Sequence, residues 1–228
     1  MNYQAIIFDM DGTIIETEHI WKFARNSLVT SRGIPLTPEF EQTLAERLAG
    51  TAIHESCAII KELAKLPDSV EDLVKEKNQI ANAIYEDGVR FIEGFLPFHA
   101  EAKALNLELG VATNATDQTI AVTNKKLNLT HLFGTHVYGI SKVNNKGKPN
   151  PAIYLHAAAQ LGIEPDKCIA IEDSANGIKA AKAAGMLCIG INTSGNPAQL
   201  TEADLIINGY DEIDLNLLIK NGSCPRVD

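Results

Sequence analysis

The run Asp9-Met10-Asp11-Gly12-Thr13 sets two carboxylates two residues apart, directly after the apolar segment Ala5-Ile6-Ile7-Phe8. Thr113-Asn114 follows a second apolar run, Leu109-Gly110-Val111-Ala112, and Glu172-Asp173 follows a third, Cys168-Ile169-Ala170-Ile171. Between them stands Lys148, ahead of Pro149-Asn150-Pro151. Brought together, these residues supply carboxylates, a hydroxyl, an amide and an ammonium. Such a set suits a hard divalent cation such as Mg²⁺ and a phosphoryl group, whose charge a metal and a lysine would neutralise. Each piece alone has a plainer reading. The Asp-x-Asp-Gly-Thr run can be a simple turn, and Thr113-Asn114 a strand end. Lys148 can be a surface lysine, with Lys142 and Lys146 as neighbours. Glu172-Asp173-Ser174 can be an N-cap cluster.

Convergence requires a scaffold that brings the ends of these runs to one edge. The three apolar runs, with Cys188-Ile189-Gly190-Ile191 as a fourth, are each short, continuous and followed by turn residues and a helical pattern. That pattern predicts a parallel sheet covered on both faces, with Leu205-Ile206-Ile207 as an edge strand. Asn150-Pro151 reads as N-cap and N1 of one helix, Ser174 as the N-cap of another, and Gly185 as the latter's C′ residue. From Glu16 to Phe91 the chain changes character, with helix formers throughout and no strand-like run. Helices are predicted over 18–31, 37–48, 52–65 and 69–86. The expected architecture is therefore an α/β, doubly wound parallel-sheet (Rossmann-like) core over 1–15 and 92–228, interrupted by an α-helical domain over 16–91. An insertion there lies at the carboxyl ends of the strands, where open α/β sheets bind ligands.

Taken in order, Asp9-Met10-Asp11-Gly12-Thr13, Thr113, Lys148-Pro149 and Glu172-Asp173 resemble the four motifs of the haloacid dehalogenase superfamily. The helical insert is similar to the cap of its beta-phosphoglucomutase-like and phosphoglycolate-phosphatase-like branch, and Glu16-Thr17-Glu18 and Ile171–Ile178 follow that branch closely. The resemblance covers about residues 3 to 195. It implies a Mg²⁺-dependent phosphatase of a small phosphorylated metabolite, such as a sugar phosphate or phosphoglycolate, or alternatively a phosphomutase. It also implies the roles. Asp9 would be the nucleophile and form an aspartyl-phosphate, with Asp11 the general acid and base. Thr113, the amide of Asn114 and Lys148 would hold phosphate. Asp9, the carbonyl of Asp11, Asp173 and Glu172, the last directly or through water, would hold Mg²⁺. In the cap, Trp21, near the first hinge, and Thr51 and His54, in the stretch Gly50–Ser56, are the candidates for substrate choice. Ile53 stands where mutases usually carry a basic residue, which weakens the mutase reading. Asp11 argues against a dehalogenase.

Composition narrows the partners. Among 228 residues, Lys plus Arg is 20 and Asp plus Glu 29, a formal net charge of −9. Nucleic acid and anionic membranes need a basic footprint, so neither is an expected partner. No apolar run approaches the roughly 20 residues needed to span a bilayer. Met1-Asn2-Tyr3-Gln4 lacks the basic stretch of a secretory signal, and the four cysteines show no CxxC spacing. The expectation is a cytoplasmic monomer with no disulfide framework. A non-catalytic relative that kept only the fold is a rival reading, opposed by the presence of Asp9, Asp11, Lys148 and Asp173 together.

Overall fold

The computed structural model describes residues 3–48, 51 and 53–221, without the side chains of residues 86, 87, 220 and 221. Met1, Asn2, Gly50, Ala52 and Cys224 lie outside the described residues. The sheet is built from β1 (Ala5–Phe8), β2 (Glu108–Ala112), β3 (Val137–Tyr138), β4 (Cys168–Glu172), β5 (Leu187–Ile191) and β6 (Leu205–Ile207), in the order β3-β2-β1-β4-β5-β6. Every neighbouring pair is parallel. The four apolar runs form the four central strands because helices on both faces demand apolar side chains in both directions. Leu205–Ile207 is an edge strand, as expected. At the opposite edge β3, only two residues long, has no run from which the sequence could announce it.

Register decides what meets at the sheet edge. Phe8 pairs with Val111 on one side and Ile171 on the other. One residue further, Asp9, Ala112 and Glu172 stand level, and the Asp9 amide donates to the Ile171 carbonyl at 2.9 Å. The strand order reverses between β1 and β4, so these carboxylates flank the crevice where ligands enter this topology. Phe8 anchors β1 from within, packing edge-on against Phe95 and Phe98 at ring distances of 5.6 and 6.2 Å.

The chain divides into two compact units, Met1–Glu16 with Val89–Asp228, and Thr17–Gly88. In the first, α5 (Phe95–Ala104), α6 (Asp117–Leu127), α7 (Leu129–Phe133), α8 (Ala152–Leu161), α9 (Ala175–Ala183) and α10 (Leu215–Asn221) accompany the sheet. Ser174 caps α9 by accepting from the Gly177 amide at 3.1 Å, and Gly185 follows the C-cap with φ +83°, both as expected. The start of α8 is displaced by one residue. Pro151 is the N-cap, and Asn150 Oδ1 accepts from the Ala152 amide at 3.0 Å. An Asx turn thus takes the place of a cap at Asn150. The second unit holds α1 (Glu18–Thr30), α2 (Pro38–Leu48), α3 (Ile53–Ala64) and α4 (Val70–Gly88), around a core of Leu28, Val29, Leu44, Cys57, Ile60 and Leu73. Among the described residues no helix is long and apolar enough to cross a membrane.

Candidate active site

The loop after β1 is fixed by backbone chemistry. Gly12 has φ +77°, and a Cβ there would stand 2.1 Å from Asp173 Oδ2. Glycine thus serves both the left-handed turn and the close approach of a carboxylate. Thr193 Oγ1 donates to the Gly12 carbonyl at 2.6 Å, and the Tyr210 hydroxyl to that of Thr13 at 2.8 Å. These two bonds tie the loop to the segments after β5 and β6. Neither was visible in the sequence, where Thr193 and Tyr210 lie some two hundred residues away.

Lys148 is buried, whereas Lys142 and Lys146 are exposed. Its ammonium donates to Asp9 Oδ1 at 2.5 Å, Glu172 Oε1 at 2.6 Å and the Ala112 carbonyl at 2.7 Å. Burial pulls the amine down, but the attraction of Asp9 and Glu172 outweighs it and holds the group above the usual lysine range. Lys148 is therefore a fixed positive charge at neutral pH. Its loop is held by Asn114, whose side-chain oxygen accepts from the Lys148 amide at 2.9 Å. The family resemblance implies only a main-chain role for Asn114, and the fold adds this side-chain one. Thr113 is buried at the end of β2, with Oγ1 accepting from the Ala115 amide at 3.0 Å.

Asp9, Glu172 and Asp173 each bring a carboxylate oxygen into one group, all within 4.8 Å of one another. Burial pushes Asp9 up to about 7, with Lys148 opposing and Glu172 and Asp11 adding to the rise. Asp173 is driven well above the carboxylate range by burial, then by the charges of Asp9 and Glu172. Three hard-oxygen donors whose like charges crowd one point match what a divalent cation relieves, so the residues fit Mg²⁺. Asp11, half-buried, is outside this trio of carboxylates.

The second unit carries the other candidates. Trp21 meets Tyr85 edge-on at 6.2 Å. Thr51 Oγ1 donates to the Leu48 carbonyl at 2.8 Å, beyond the end of α2. His54 is largely exposed, 3.5 Å from Glu71. No motif or spacing in the sequence singles out Lys77. Its ammonium is buried, donates to Ser56 Oγ at 2.8 Å and lies 5.8 Å from the Trp21 ring centre. Burial lowers its amine to about 8, with Cys57 opposing and Arg25 reinforcing. Below about pH 8 the group is charged whether folded or unfolded, and the full penalty applies. As pH climbs from about 8 towards 10.5, only the unfolded chain keeps the proton, and the penalty fades. That gap is worth roughly 3 kcal/mol at ~1.36 kcal/mol per pH unit. Lys77→Met also forfeits the hydroxyl and ring contacts, about 1–2 kcal/mol together. The variant is expected to be about 1–2 kcal/mol more stable than the native chain at pH 7, with the gain reversing to a deficit of about 1 kcal/mol by pH 10.5. Paired thermal melts across that range check it.

The model of haloacid dehalogenase-like hydrolases matches residues 6–191. The chain belongs to that family, and within it is a phosphoric monoester hydrolase. It is 30% identical to the phosphorylated carbohydrates phosphatase of Thermotoga maritima, over 94% of this chain and 98% of that one. Identity to the beta-phosphoglucomutase of Bacillus subtilis is also 30%, covering 94% and 93%. The crystal structure of a HAD hydrolase, family IA, variant 3, from Entamoeba histolytica superposes with a TM-score of 0.82 at 26% identity, covering 96% and 100%.

Proposed function

We propose that the enzyme is a Mg²⁺-dependent phosphatase of a small phosphorylated metabolite, a sugar phosphate or a phosphoglycolate-like acid, acting through an aspartyl-phosphate on Asp9. The observation that carries this reading is the Lys148 ammonium set between Asp9 and Glu172, beside Asp173, at the strand ends. Asp9, the carbonyl of Asp11 and Asp173 would hold the cation, with Glu172 acting directly or through water. Bound Mg²⁺ would offset the charge of the phosphoryl oxygens.

The chain's own groups account for the steps. An Asp9 carboxylate oxygen attacks phosphorus while the bond to the substrate oxygen breaks, and the Asp11 carboxyl gives its proton to that oxygen. Asp11, now ionised, takes a proton from water as the water oxygen attacks the phosphoryl group. Phosphate departs and Asp9 is restored. Lys148 keeps Asp9 directed and neutralises charge gathering on the phosphoryl oxygens, as do Thr113 and the Asn114 amide. Every candidate substrate carries phosphate, so choice falls to the helical unit acting as a cap, through Trp21, Thr51, His54 and Lys77. Lys77 joins this set through its place against the Trp21 ring and Ser56.

A second reading follows from the 30% identity to a beta-phosphoglucomutase. There the phosphoryl group returns to a sugar hydroxyl instead of to water. Phosphate release from a panel of sugar phosphates, phosphoglycolate and an aryl phosphate, with and without a sugar bisphosphate, separates the two. Steady release without bisphosphate is expected. Isomerisation that needs the bisphosphate and frees little phosphate would establish the mutase. No release from any member with Mg²⁺ present would end the phosphatase reading.

A further inference from the structure

Glu172 has no exposed surface, and its carboxylate accepts three side-chain hydrogen bonds. Lys148 Nζ and the Tyr154 hydroxyl both donate to its Oε1, at 2.6 and 2.7 Å, and Ser174 Oγ donates to Oε2 at 3.2 Å. The space its head occupies exists because residue 177 has no side chain. A Cβ on Gly177 would lie 1.9 Å from the carboxyl carbon. Tyr154, fully buried on α8, also presents its ring to Lys148, with Nζ 4.8 Å from the ring centre. The phenol therefore touches both members of the Glu172–Lys148 pair, the carboxylate through its hydroxyl and the ammonium through its face.

We propose that Tyr154 is a positioning residue that commits Glu172 to Lys148 and leaves Asp9 and Asp173 as the carboxylates that hold the cation. The proposal rests on the phosphatase reading above and refines its metal shell. All three N–H bonds of Lys148 are placed, on Asp9 Oδ1, Glu172 Oε1 and the Ala112 carbonyl. The Ala112 carbonyl belongs to the backbone of β2, and the Asp9 head stands only two torsions from backbone held to β4 by its amide. Glu172, the last residue of β4, offers the acceptor with the longest side chain, three torsions, and its head would otherwise swing between ammonium and cation. The Tyr154 hydroxyl fills the second lone pair of Oε1 and removes that choice. With Glu172 held, the ammonium sits at one distance from the nucleophile, and a shift of about 1 Å there is costly to turnover.

Tyr154→Phe tests this by keeping the ring and removing the hydroxyl, with no change in charge. Hydrolysis of p-nitrophenyl phosphate and binding of Mn²⁺, followed by electron paramagnetic resonance without substrate, are measured on the full chain. The expected result is a kcat lower by about tenfold with KM within about twofold. Mn²⁺ should still bind at one ion per chain, with Kd unchanged or tighter. Damage to the fold would instead lower the number of sites per chain. Gly177→Ala provides a second route, because its methyl displaces the Glu172 head while alanine itself favours the helix. It should give the same signature. A kcat within about twofold of native in both variants overturns the proposal. So does an Mn²⁺ affinity that weakens in step with kcat, which would make Glu172 a metal ligand supported by Tyr154. A native chain that neither binds Mn²⁺ nor releases phosphate would instead remove the phosphatase reading itself.

Discussion

Asp9→Asn is expected to fold as the native chain does and to turn over phosphoesters more slowly by about 10³-fold or more. The amide has nearly the shape of the carboxylate, and its oxygen still accepts from the Lys148 ammonium, 2.5 Å from Asp9 Oδ1 in the native site. What it lacks is the charge that attacks phosphorus. Stability should not follow activity. Burial and the neighbouring Glu172 charge hold the Asp9 carboxyl up near 7 even with Lys148 beside it. A neutral group is thus no worse accommodated there than an ionised one. Removing one of three mutually repelling carboxylates should leave Tm, measured without divalent ion, equal to or above the native value. The pair of measurements is kcat and Tm. Near-normal turnover would move the nucleophile elsewhere. A large drop in Tm would mean that the lost activity reports unfolding.

Chelation of divalent ions is expected to abolish activity, and Mg²⁺ to restore it. Asp9, Glu172 and Asp173 bring three carboxylate oxygens within 4.8 Å of one another, and Lys148 supplies one compensating charge. Burial, Asp9 and Glu172 push Asp173 towards its protonated form when nothing else offsets them. In that state the nucleophile Asp9 and its neighbour Asp173, which should hold the cation, are drawn towards holding protons. A divalent cation reverses this, so it should also raise Tm, by about 2.7 kcal/mol of stability at a hundredfold excess over Kd. Ca²⁺ is expected to bind and inhibit. It takes more oxygen ligands at longer distances, which favours both oxygens of Asp9 on the metal and none free to attack. Rates in chelator, then in added Mg²⁺ or Ca²⁺, decide the matter, and full activity in excess chelator would defeat the metal assignment.

Much of the scaffold was legible because its causes are local. A strand buried on both faces must be apolar throughout, so Ala5–Phe8 and Cys168–Ile171 stand out as runs. Their ends therefore mark where Asp9 and Glu172-Asp173 emerge. Helix starts at Ser174 and near Pro38 follow from capping and proline chemistry, which involves neighbours within three or four residues. The two-residue strand Val137–Tyr138 was not legible, since its pairing with Val111 and Ala112 is made by the sheet and not by any local preference. Asn150 and Pro151 show the same limit at one residue's scale.

By itself the sequence determined which residue types close the strands, that a helical block interrupts the core after β1, and that Asp9, Asp11, Lys148 and Asp173 are the groups to test. It could name Lys148 over Lys142 and Lys146 only by its prolines, while the fold separates them by burial. Tertiary structure alone decided what each of these groups touches. Tyr154 is buried on α8 with Ile153 and Ala157, and its hydroxyl ends on Glu172. Lys77, on the long helix α4, lies buried against Ser56 and Trp21. The reason is physical. Periodicity records which side of an element faces inward, whereas a hydrogen bond between residues far apart in the chain depends on how several elements pack, and no local pattern carries that distance.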